Sequence, residues 1–316
     1  MHSQLLHSLS PQVFHLSESL SLRWTGAACL VGLLLAFVLL RRRAARGEGP
    51  FAREEVAGFV LFAGLFGVLL GGRAGDMLLH QWDGASQDGS LLGGFQQAGM
   101  SMLGAILGVT LYAAYHARER QRPWLEVMDA LAVLAPLGLL LGHLAVFTEG
   151  APVGRVSDVP WALRFPAELG TPGFQPVTTP TLALGELAGA PGHEVVKLAR
   201  EVPSLGEELA RVLPPRHPVL LYQAVLEGLA PFVLLLLLRG RAWSRAVGMP
   251  TGLFFVLTGV GSALGQWFRE PDPNLPFSYQ FESGPLLSLV LLAVGAAFIL
   301  SALAARRPVA NVQPLA

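Results

Sequence analysis

The chain has 316 residues, of which 52% are hydrophobic and 14% charged, with zero net charge and a mean hydropathy of +0.51. Because soluble domains carry about a quarter charged residues, this composition excludes an ordinary soluble domain and predicts an all-α polytopic membrane protein. Zero net charge gives no indication of nucleic-acid binding, and the single cysteine, Cys29, excludes an intrachain disulfide and a zinc cluster.

Seven apolar stretches approach the roughly 20 residues that a helix needs to cross a bilayer. In chain order they are residues 22–40, 56–72, 92–115, 125–147, 219–238, 248–267 and 286–304. Residues 1–21 lack a basic region and a cleavage motif, so we expect an external N-terminal segment and not a cleaved signal peptide. The membrane domain then covers residues 22–304, and residues 305–316 form a cytoplasmic tail.

Basic residues are concentrated in alternate connections between the predicted spans. Short cytoplasmic loops are enriched in basic residues, so these connections indicate the cytoplasmic side. The pattern predicts an external N-terminus and a cytoplasmic C-terminus, in agreement with an odd number of spans. The residues are Arg41, Arg42, Arg43, Arg46, Arg53, Arg118, Arg120, Arg122, Arg239, Arg241, Arg245, Arg306 and Arg307.

The connection between the fourth and fifth spans, residues 148–218, is predicted to be one long external loop. It is rich in Pro, Gly and Thr near residues 170–192 and then has the pattern of an amphipathic helix over 193–212. Such a helix could lie on the membrane surface or pack against the bundle, and the pattern leaves both alternatives open.

Polar residues occur near the outer ends of several spans, where ionisable groups are costly and often mark a site. Their position on one side of the membrane predicts a shared polar cavity that opens outward. The residues that enter this prediction are Arg73, Asp76, His80, His143, Glu149, His217, Tyr222, Glu227, Gln266, Arg269, Glu270 and Asp272.

Each of these residues also has a purely structural interpretation. An arginine at the end of a span often extends towards lipid phosphate without a further role. A buried carboxylate such as Glu227 must be paired or protonated, which favours a structural hydrogen bond. His143, alone in an apolar run, is equally consistent with a structural histidine and with a proton-transfer group.

The segments, read in order, resemble the prolipoprotein diacylglyceryl transferase family over about residues 22–304. The most specific matches are RHPVLLYQAVLEG at 216–228 and WFREPD at 267–272. The others are RWTG at 23–26, GGRAG at 71–75, AGMSMLGAILG at 98–108, GHLAVFTEGAPVGR at 142–155, PWALRFP at 160–166 and TGLFFVLTG at 251–259.

The resemblance implies transfer of a diacylglyceryl group from phosphatidylglycerol to the lipobox cysteine of a prolipoprotein. The implied partners are this anionic phospholipid and a prolipoprotein signal peptide, and the implied location is the bacterial inner membrane. Neither a cofactor nor a metal is implied. The chemistry requires cations that hold the lipid phosphate, a base that helps form the thiolate, and a dry cavity open to lipid.

The chain keeps some of the family's polar residues and replaces others. Those that match are Arg73, Gly154, Arg155, His217, Tyr222, Glu227, Arg269 and Asp272. Family tyrosines are replaced by Thr25 and Asp76, a histidine by Leu103, arginines by His143 and Ser262, asparagines by Val146 and Glu149, and glutamates by Ala151 and Gln266.

These matches and replacements predict three groups of site residues. His143 and Glu149, as new ionisable groups, are the candidate catalytic residues, and Arg73, Arg155 and Arg269 are the candidate ligands of the lipid phosphate. The residues predicted to be structural or to line the cavity are Gly154, His217, Tyr222, Glu227 and Gln266. Two hypotheses stay open: a divergent active transferase, and a degenerate relative that binds anionic phospholipid or a lipoprotein partner without turnover. A transporter has little support, because the spans lack midplane charges arranged as a path.

Overall fold

The computed structural model describes residues 5–17, 20–80, 100–150, 152–170, 174, 177–178, 192–239, 241, 246–271 and 285–305. Within these residues the chain is mostly helical, as the composition predicts. Several sequence predictions lie outside the described residues: positions 92–99 of the third span, Ala151, most of the Pro-, Gly- and Thr-rich part of the long loop, Arg245, Asp272 and the tail beyond residue 305.

Twelve α-helices are formed within the described residues. They are α1 (Trp24–Ala45), α2 (Val56–Phe62), α3 (Gly72–His80), α4 (Met102–Glu119), α5 (Trp124–Ala132), α6 (Ala135–Phe147), α7 (Gly192–Glu201), α8 (Pro203–Val212), α9 (Val219–Gln223), α10 (Ala230–Leu238), α11 (Met249–Gln266) and α12 (Pro285–Ala304). Two π-helical segments, Ala63–Gly71 and Ala224–Leu229, continue α2 and α9, and Pro166–Gly170 is a 3₁₀-helix.

Four helical stretches in the described residues are long and apolar enough to cross a membrane: Trp24–Ala45, Val56–Leu78, Val219–Leu238 and Pro285–Ala304. The pair α5 and α6, broken at residues 133–134, gives a fifth if it crosses as one span. Pro136 explains the break, because proline cannot donate a backbone hydrogen bond to the preceding turn. The remaining two predicted spans coincide with α4 and α11, which are helical but do not reach the same length and hydropathy.

Short strands, which the sequence analysis did not predict, occur at the N-terminus and in the long loop. Strand β1 (Leu5–Leu6) pairs in parallel with β4 (Leu163–Arg164), and β2 (Gln12–Ser17) pairs antiparallel with β3 (Leu20–Arg23). Two-residue strands carry no periodicity, and the partner of β1 lies far along the chain. This pairing therefore depends on tertiary contacts that a local pattern does not reveal.

Contacts between residues divide the chain into two compact units. The first comprises Met1–Gly32, Leu137–Leu229 and Gly261–Pro273, and the second comprises Leu33–Pro136, Ala230–Val260 and Asn274–Ala316.

In the first unit, the predicted amphipathic helix is two helices, α7 and α8, that meet at Val202 and Pro203. Pro203 occupies the first turn of α8, where its missing N–H costs nothing. Val195 and Leu209 are fully buried with Leu169 of the 3₁₀-helix. The apolar side of this segment therefore packs inside the protein.

In the second unit, the stretch from the π-helical segment Ala63–Gly71 into α3 packs against α4 through glycines. A Cβ at position 104 would lie 2.7 Å from the Cα of Gly75, and one at position 71 would lie 2.9 Å from the Cα of Gly108. Small residues four apart let two helix backbones approach this closely in lipid. The glycines at positions 71, 75, 104 and 108 therefore set the close contact between these helices.

Replacing Gly104 with alanine is expected to destabilise the protein by about 1–3 kcal/mol, because the new methyl group would overlap backbone atoms that cannot move independently. The control is Gly138→Ala, since a Cβ at position 138 meets nothing within 4 Å. Thermal unfolding of both variants in detergent micelles measures the difference. An unfolding midpoint of Gly104→Ala equal to that of Gly138→Ala would contradict the close helix contact.

Candidate active site

The centre of the candidate site is a hydrogen-bonded pair formed by His143 on α6 and Glu227 in the π-helical segment Ala224–Leu229. His143 Nε2 lies 3.1 Å from Glu227 Oε2, and Gln223 Nε2 donates to Glu227 Oε1 at 3.2 Å. The Glu227 side chain is 2% exposed and that of His143 15% exposed. Both carboxylate oxygens therefore have a partner, as a buried carboxylate requires.

Glycines bring these two residues together. A Cβ at position 228 would lie 2.6 Å from the Cα of Leu140, so the backbone beside Glu227 lies directly against α6. Leu140 is about one helical turn before His143, which places the imidazole beside the carboxylate. On another side, a Cβ at Gly261 would overlap the carbonyl oxygen of Leu226, so α11 also packs closely here.

The second imidazole nitrogen of His143 allows the pair to transfer a proton. Because Nε2 faces Glu227, Nδ1 is the position that can exchange a proton with a substrate. Nδ1 makes no hydrogen bond to any described residue. A histidine oriented by a carboxylate is the usual arrangement of a general base.

Arg269 lies near this pair. Burial lowers the pKa of Arg269, and the negative charge of Glu227 partly offsets that effect. The Arg269 backbone N–H donates to the carbonyl of Gln266 at 3.2 Å, at the point where α11 ends. Gln266 is half-buried there, so it lies at the predicted end of the span.

Gly154 and Arg155 are held against the residues that follow α11. The Arg155 N–H donates to the Phe268 carbonyl at 2.8 Å, and its Nε donates to the Arg269 carbonyl at 3.1 Å. A Cβ at Gly154 would overlap the His217 carbonyl and lie 2.8 Å from that of Phe268. Gly154 is therefore required for close backbone packing. Among the described residues, the terminal guanidinium nitrogens of Arg155 have no hydrogen-bond partner and can bind an anion.

His217 and Tyr222 belong to an aromatic cluster with Trp161 and Phe268. Trp161 Nε1 donates to the Tyr222 hydroxyl at 2.6 Å, and that hydroxyl lies 3.1 Å from His217 Nδ1. The Phe268 ring lies edge-on to both His217 and Tyr222, with centroids 5.1 Å apart in each case. Burial lowers the pKa of His217, which favours the neutral ring. These contacts support the predicted structural role of His217 and Tyr222.

Glu149, the second predicted catalytic residue, lies in a different environment from His143. It forms an ion pair with Arg23 at 3.0 Å, with side chains 31% and 55% exposed. Among the described residues it makes no hydrogen bond or ion pair with His143 or Glu227. The geometry therefore supports His143 as a proton-transfer residue and gives Glu149 only a surface contact with the last residue of β3.

Arg73, the remaining predicted phosphate ligand, belongs to the second unit. It is a half-buried residue of α3 and follows Gly72, whose carbonyl accepts a hydrogen bond from the Ser101 N–H at 3.0 Å. That contact joins the start of α3 to the residue before α4.

Sequence reasoning missed Arg216 and its partners. The Arg216 guanidinium pairs with the buried Glu168, donates to the Gly154 carbonyl at 3.0 Å and lies 3.3 Å from Glu270. It therefore fixes the backbone that presents Arg155. Its position next to His217 in the RHP motif was a signal, but no local pattern indicated Glu168 as its partner. Gln223 was also missed, although it lies four residues before Glu227, the spacing that places side chains on one helical face.

Comparison with known proteins shows the family of the chain. The family model for prolipoprotein diacylglyceryl transferase matches residues 11–301. A Mannheimia succiniciproducens protein named phosphatidylglycerol–prolipoprotein diacylglyceryl transferase is 33% identical over 307 residues, 95% of this chain and 96% of its own. Similar proteins of the same name from Shewanella sp. strain ANA-3 and Vibrio cholerae are 32% and 33% identical over 89% and 91% of this chain, and over 88% and 89% of their own lengths. The chain belongs to the prolipoprotein diacylglyceryl transferase family.

Proposed function

We propose that this protein transfers the diacylglyceryl group of phosphatidylglycerol to the lipobox cysteine of a prolipoprotein. The names of its relatives support the reaction and both substrates. The observation that carries the proposal for this chain is the buried His143–Glu227 pair, because it supplies a base although several of the family's polar residues are replaced.

The proposed setting is the bacterial inner membrane, with seven spans, an external N-terminus and a cytoplasmic C-terminus. The apolar helices support an embedded protein, and the alternating basic connections support this orientation. In this topology the first-unit site lies at the outer ends of the spans, where a prolipoprotein signal peptide inserted in the membrane presents its cysteine.

In the proposed reaction, the cysteine S–H gives its proton to His143 Nδ1, and Glu227 stabilises the resulting imidazolium. The thiolate sulfur then forms a bond to the glyceryl carbon that carries the phosphate ester. The bond between that carbon and the phosphate oxygen breaks, and its electron pair leaves with glycerol phosphate. The products are the thioether and glycerol phosphate, so atoms and charge balance.

Arg155 and Arg269 are proposed to bind the lipid phosphate and to stabilise the negative charge that develops on it. The Arg155 guanidinium has N–H groups that no described residue accepts, and each charge-assisted hydrogen bond contributes about 1.5–3 kcal/mol. Arg73, in the second unit, stays a proposed ligand of lipid phosphate in its own right. Thus His143 removes the thiol proton, and Arg155 and Arg269 stabilise the leaving group.

The alternative is a degenerate relative that binds anionic phospholipid or a lipoprotein partner without turnover. Two residues favour it: Leu103 cannot transfer a proton, and Ser262, which is 7% exposed, carries no charge for a phosphate. The two candidates differ only in whether a thioether forms.

Mixing the purified full-length chain with phosphatidylglycerol and a lipobox peptide distinguishes them. We expect a peptide mass increased by one diacylglyceryl group, above a sample without protein. The Vibrio cholerae relative is the positive control. If that relative forms product and this chain does not, the transferase proposal is wrong and the hypothesis of lipid binding without turnover is supported.

A further inference from the structure

A second site lies in the second unit, between the start of the Val56–Leu78 span and the end of α4. It is a cavity of about 490 Å³, within the range of small-molecule sites. One end is aromatic and the other is charged. Its lining includes none of the residues of the candidate active site.

The aromatic end is open at the protein surface. Phe62, Phe66 and Tyr115 line it and are 43%, 48% and 62% exposed. Gly58 lies in the same wall, and a Cβ there would meet nothing within 4 Å. An apolar wall with free space, on helices that face lipid, suits an acyl chain.

The charged end is organised by Glu55. Its carboxylate forms ion pairs with Arg122 and, at 3.6 Å, with Arg120. Burial alone would raise the pKa of Glu55, but hydrogen bonds from the Ala52 N–H and from Arg122 outweigh it and hold the pKa below its usual value. Glu55 is therefore ionised and already neutralised by its arginine neighbours.

His116 lines the cavity beside Glu55 and is 5% exposed. Its Nε2 is 3.9 Å from Glu55, too far for a hydrogen bond, and has no other hydrogen-bond partner in the described part of the chain. Buried polar nitrogens in proteins are nearly always paired. This nitrogen is also closed to solvent, so His116 forms part of the cavity wall and does not itself contact a ligand.

The charge around the cavity indicates which headgroup fits. Glu54 and Glu119 line it, are exposed, and form no ion pair with any described residue. They provide two carboxylates for a cation, whereas the half-exposed Arg120 provides a donor for a phosphate. A group with both charges, attached to an acyl chain, complements all of these features.

We propose that this cavity binds a phospholipid with an ethanolamine headgroup, its ammonium at Glu54 and Glu119, its phosphate at Arg120, and an acyl chain along Phe62, Phe66 and Tyr115. In the proposed topology the site faces the cytoplasmic leaflet. It is separate from the phosphatidylglycerol site of the proposed reaction, because the two surplus carboxylates repel an anionic headgroup.

Native mass spectrometry of the detergent-purified full-length chain tests the proposal, without peptide present. The probes are palmitoyl-oleoyl phosphatidylethanolamine, phosphatidylcholine and phosphatidylglycerol, which share acyl chains. We expect the ethanolamine lipid to bind about tenfold more tightly than the others, the effect of one charge-assisted hydrogen bond. Equal or tighter binding of the choline or glycerol lipid would overturn the proposal.

Two variants locate the site. Gly58→Phe fills the aromatic end without a backbone clash and is expected to lower binding of the ethanolamine lipid about tenfold. Glu119→Gln is expected to reduce its preference over phosphatidylglycerol several-fold. The matched control is Gly138→Phe, the same change at another exposed helical glycine with open space.

Thermal unfolding of the variants shows whether each is folded, and Glu119→Gln keeps the test valid if Gly58→Phe does not fold. Unchanged lipid binding in a folded Gly58→Phe, or an unchanged preference in Glu119→Gln, would refute the site. Diacylglyceryl transfer is measured separately and is expected to be the same in wild type and both variants. A failure of the transferase proposal therefore leaves this test intact.

Discussion

Replacing His143 with glutamine is expected to lower the rate of thioether formation by about 10²–10⁴-fold, the usual contribution of a general base. Glutamine can still donate a hydrogen bond to Glu227, so the buried carboxylate keeps a partner and the fold is retained. The measurement is the initial rate with phosphatidylglycerol and a lipobox peptide. An unfolding midpoint close to that of wild type shows that the loss does not arise from unfolding.

The comparison variant for His143→Gln is Glu149→Gln. Because Glu149 forms only a half-exposed ion pair with Arg23, its replacement is expected to lower the rate far less. A larger loss in Glu149→Gln than in His143→Gln would show that the His143–Glu227 pair does not remove the thiol proton. Glu227→Gln adds a further check, since it keeps the size of the side chain but removes the charge that stabilises the imidazolium.

Replacing Arg216 with leucine is expected to destabilise the protein by about 3–5 kcal/mol, the usual cost of leaving one partner of a buried ion pair alone. Arg216 and Glu168 have side chains only 13% and 4% exposed. The control is Arg211→Leu, whose partner Glu207 is 3.9 Å away and whose pair is more than 70% exposed. Removing that pair is expected to cost less than about 1 kcal/mol. Unfolding in detergent micelles measures both.

Acid is expected to reduce the defect of Arg216→Leu. Burial raises the pKa of Glu168, and Arg216 opposes that effect, so removing the arginine raises the pKa of Glu168 further. At a pH where Glu168 is protonated in both the folded and the unfolded variant, the folded variant buries no unpaired charge. The destabilisation should therefore be largest at about pH 8 and should shrink as the pH falls towards the unfolded value of about 4.3.

A double variant distinguishes pairing from simple loss of packing. Adding Glu168→Leu to Arg216→Leu removes the stranded carboxylate and is expected to recover much of the lost stability. If the double variant is less stable than Arg216→Leu, and the defect does not depend on pH, the ion pair is not the cause.

The local pattern of the sequence was sufficient to predict the class of the protein. The apolar runs predicted a helical membrane protein. In the part of the chain that the structure describes, four of them correspond to helices able to cross a bilayer, and a fifth corresponds to a bent helix pair that does so if it is one span. The ordered motifs, above all those at residues 216–228 and 267–272, predicted the family that the full-length matches confirm. Both signals are local, because hydropathy and short sequence motifs do not depend on which helix faces are in contact. Seven spans and their orientation stay a prediction.

Tertiary structure decided which polar residues act together. From the sequence, His143 and Glu149 were equivalent candidates, but His143 pairs with Glu227, 84 positions away, whereas Glu149 pairs with Arg23. The sequence predicted a structural hydrogen bond for Glu227. The structure shows that bond, and its partner is His143, whose Nδ1 makes no hydrogen bond to a described residue.

The sequence by itself therefore determined the membrane class, the helical content and the family, because these follow from composition and local order. Only the tertiary structure decided the His143–Glu227 pair, the Arg216–Glu168 pair and the unpaired nitrogen of His116 in its cavity. The physical reason is common to the two pairs. A charge or hydrogen bond between distant residues depends on how closely two backbones approach, and here glycines such as Gly228 and Gly154 set that approach.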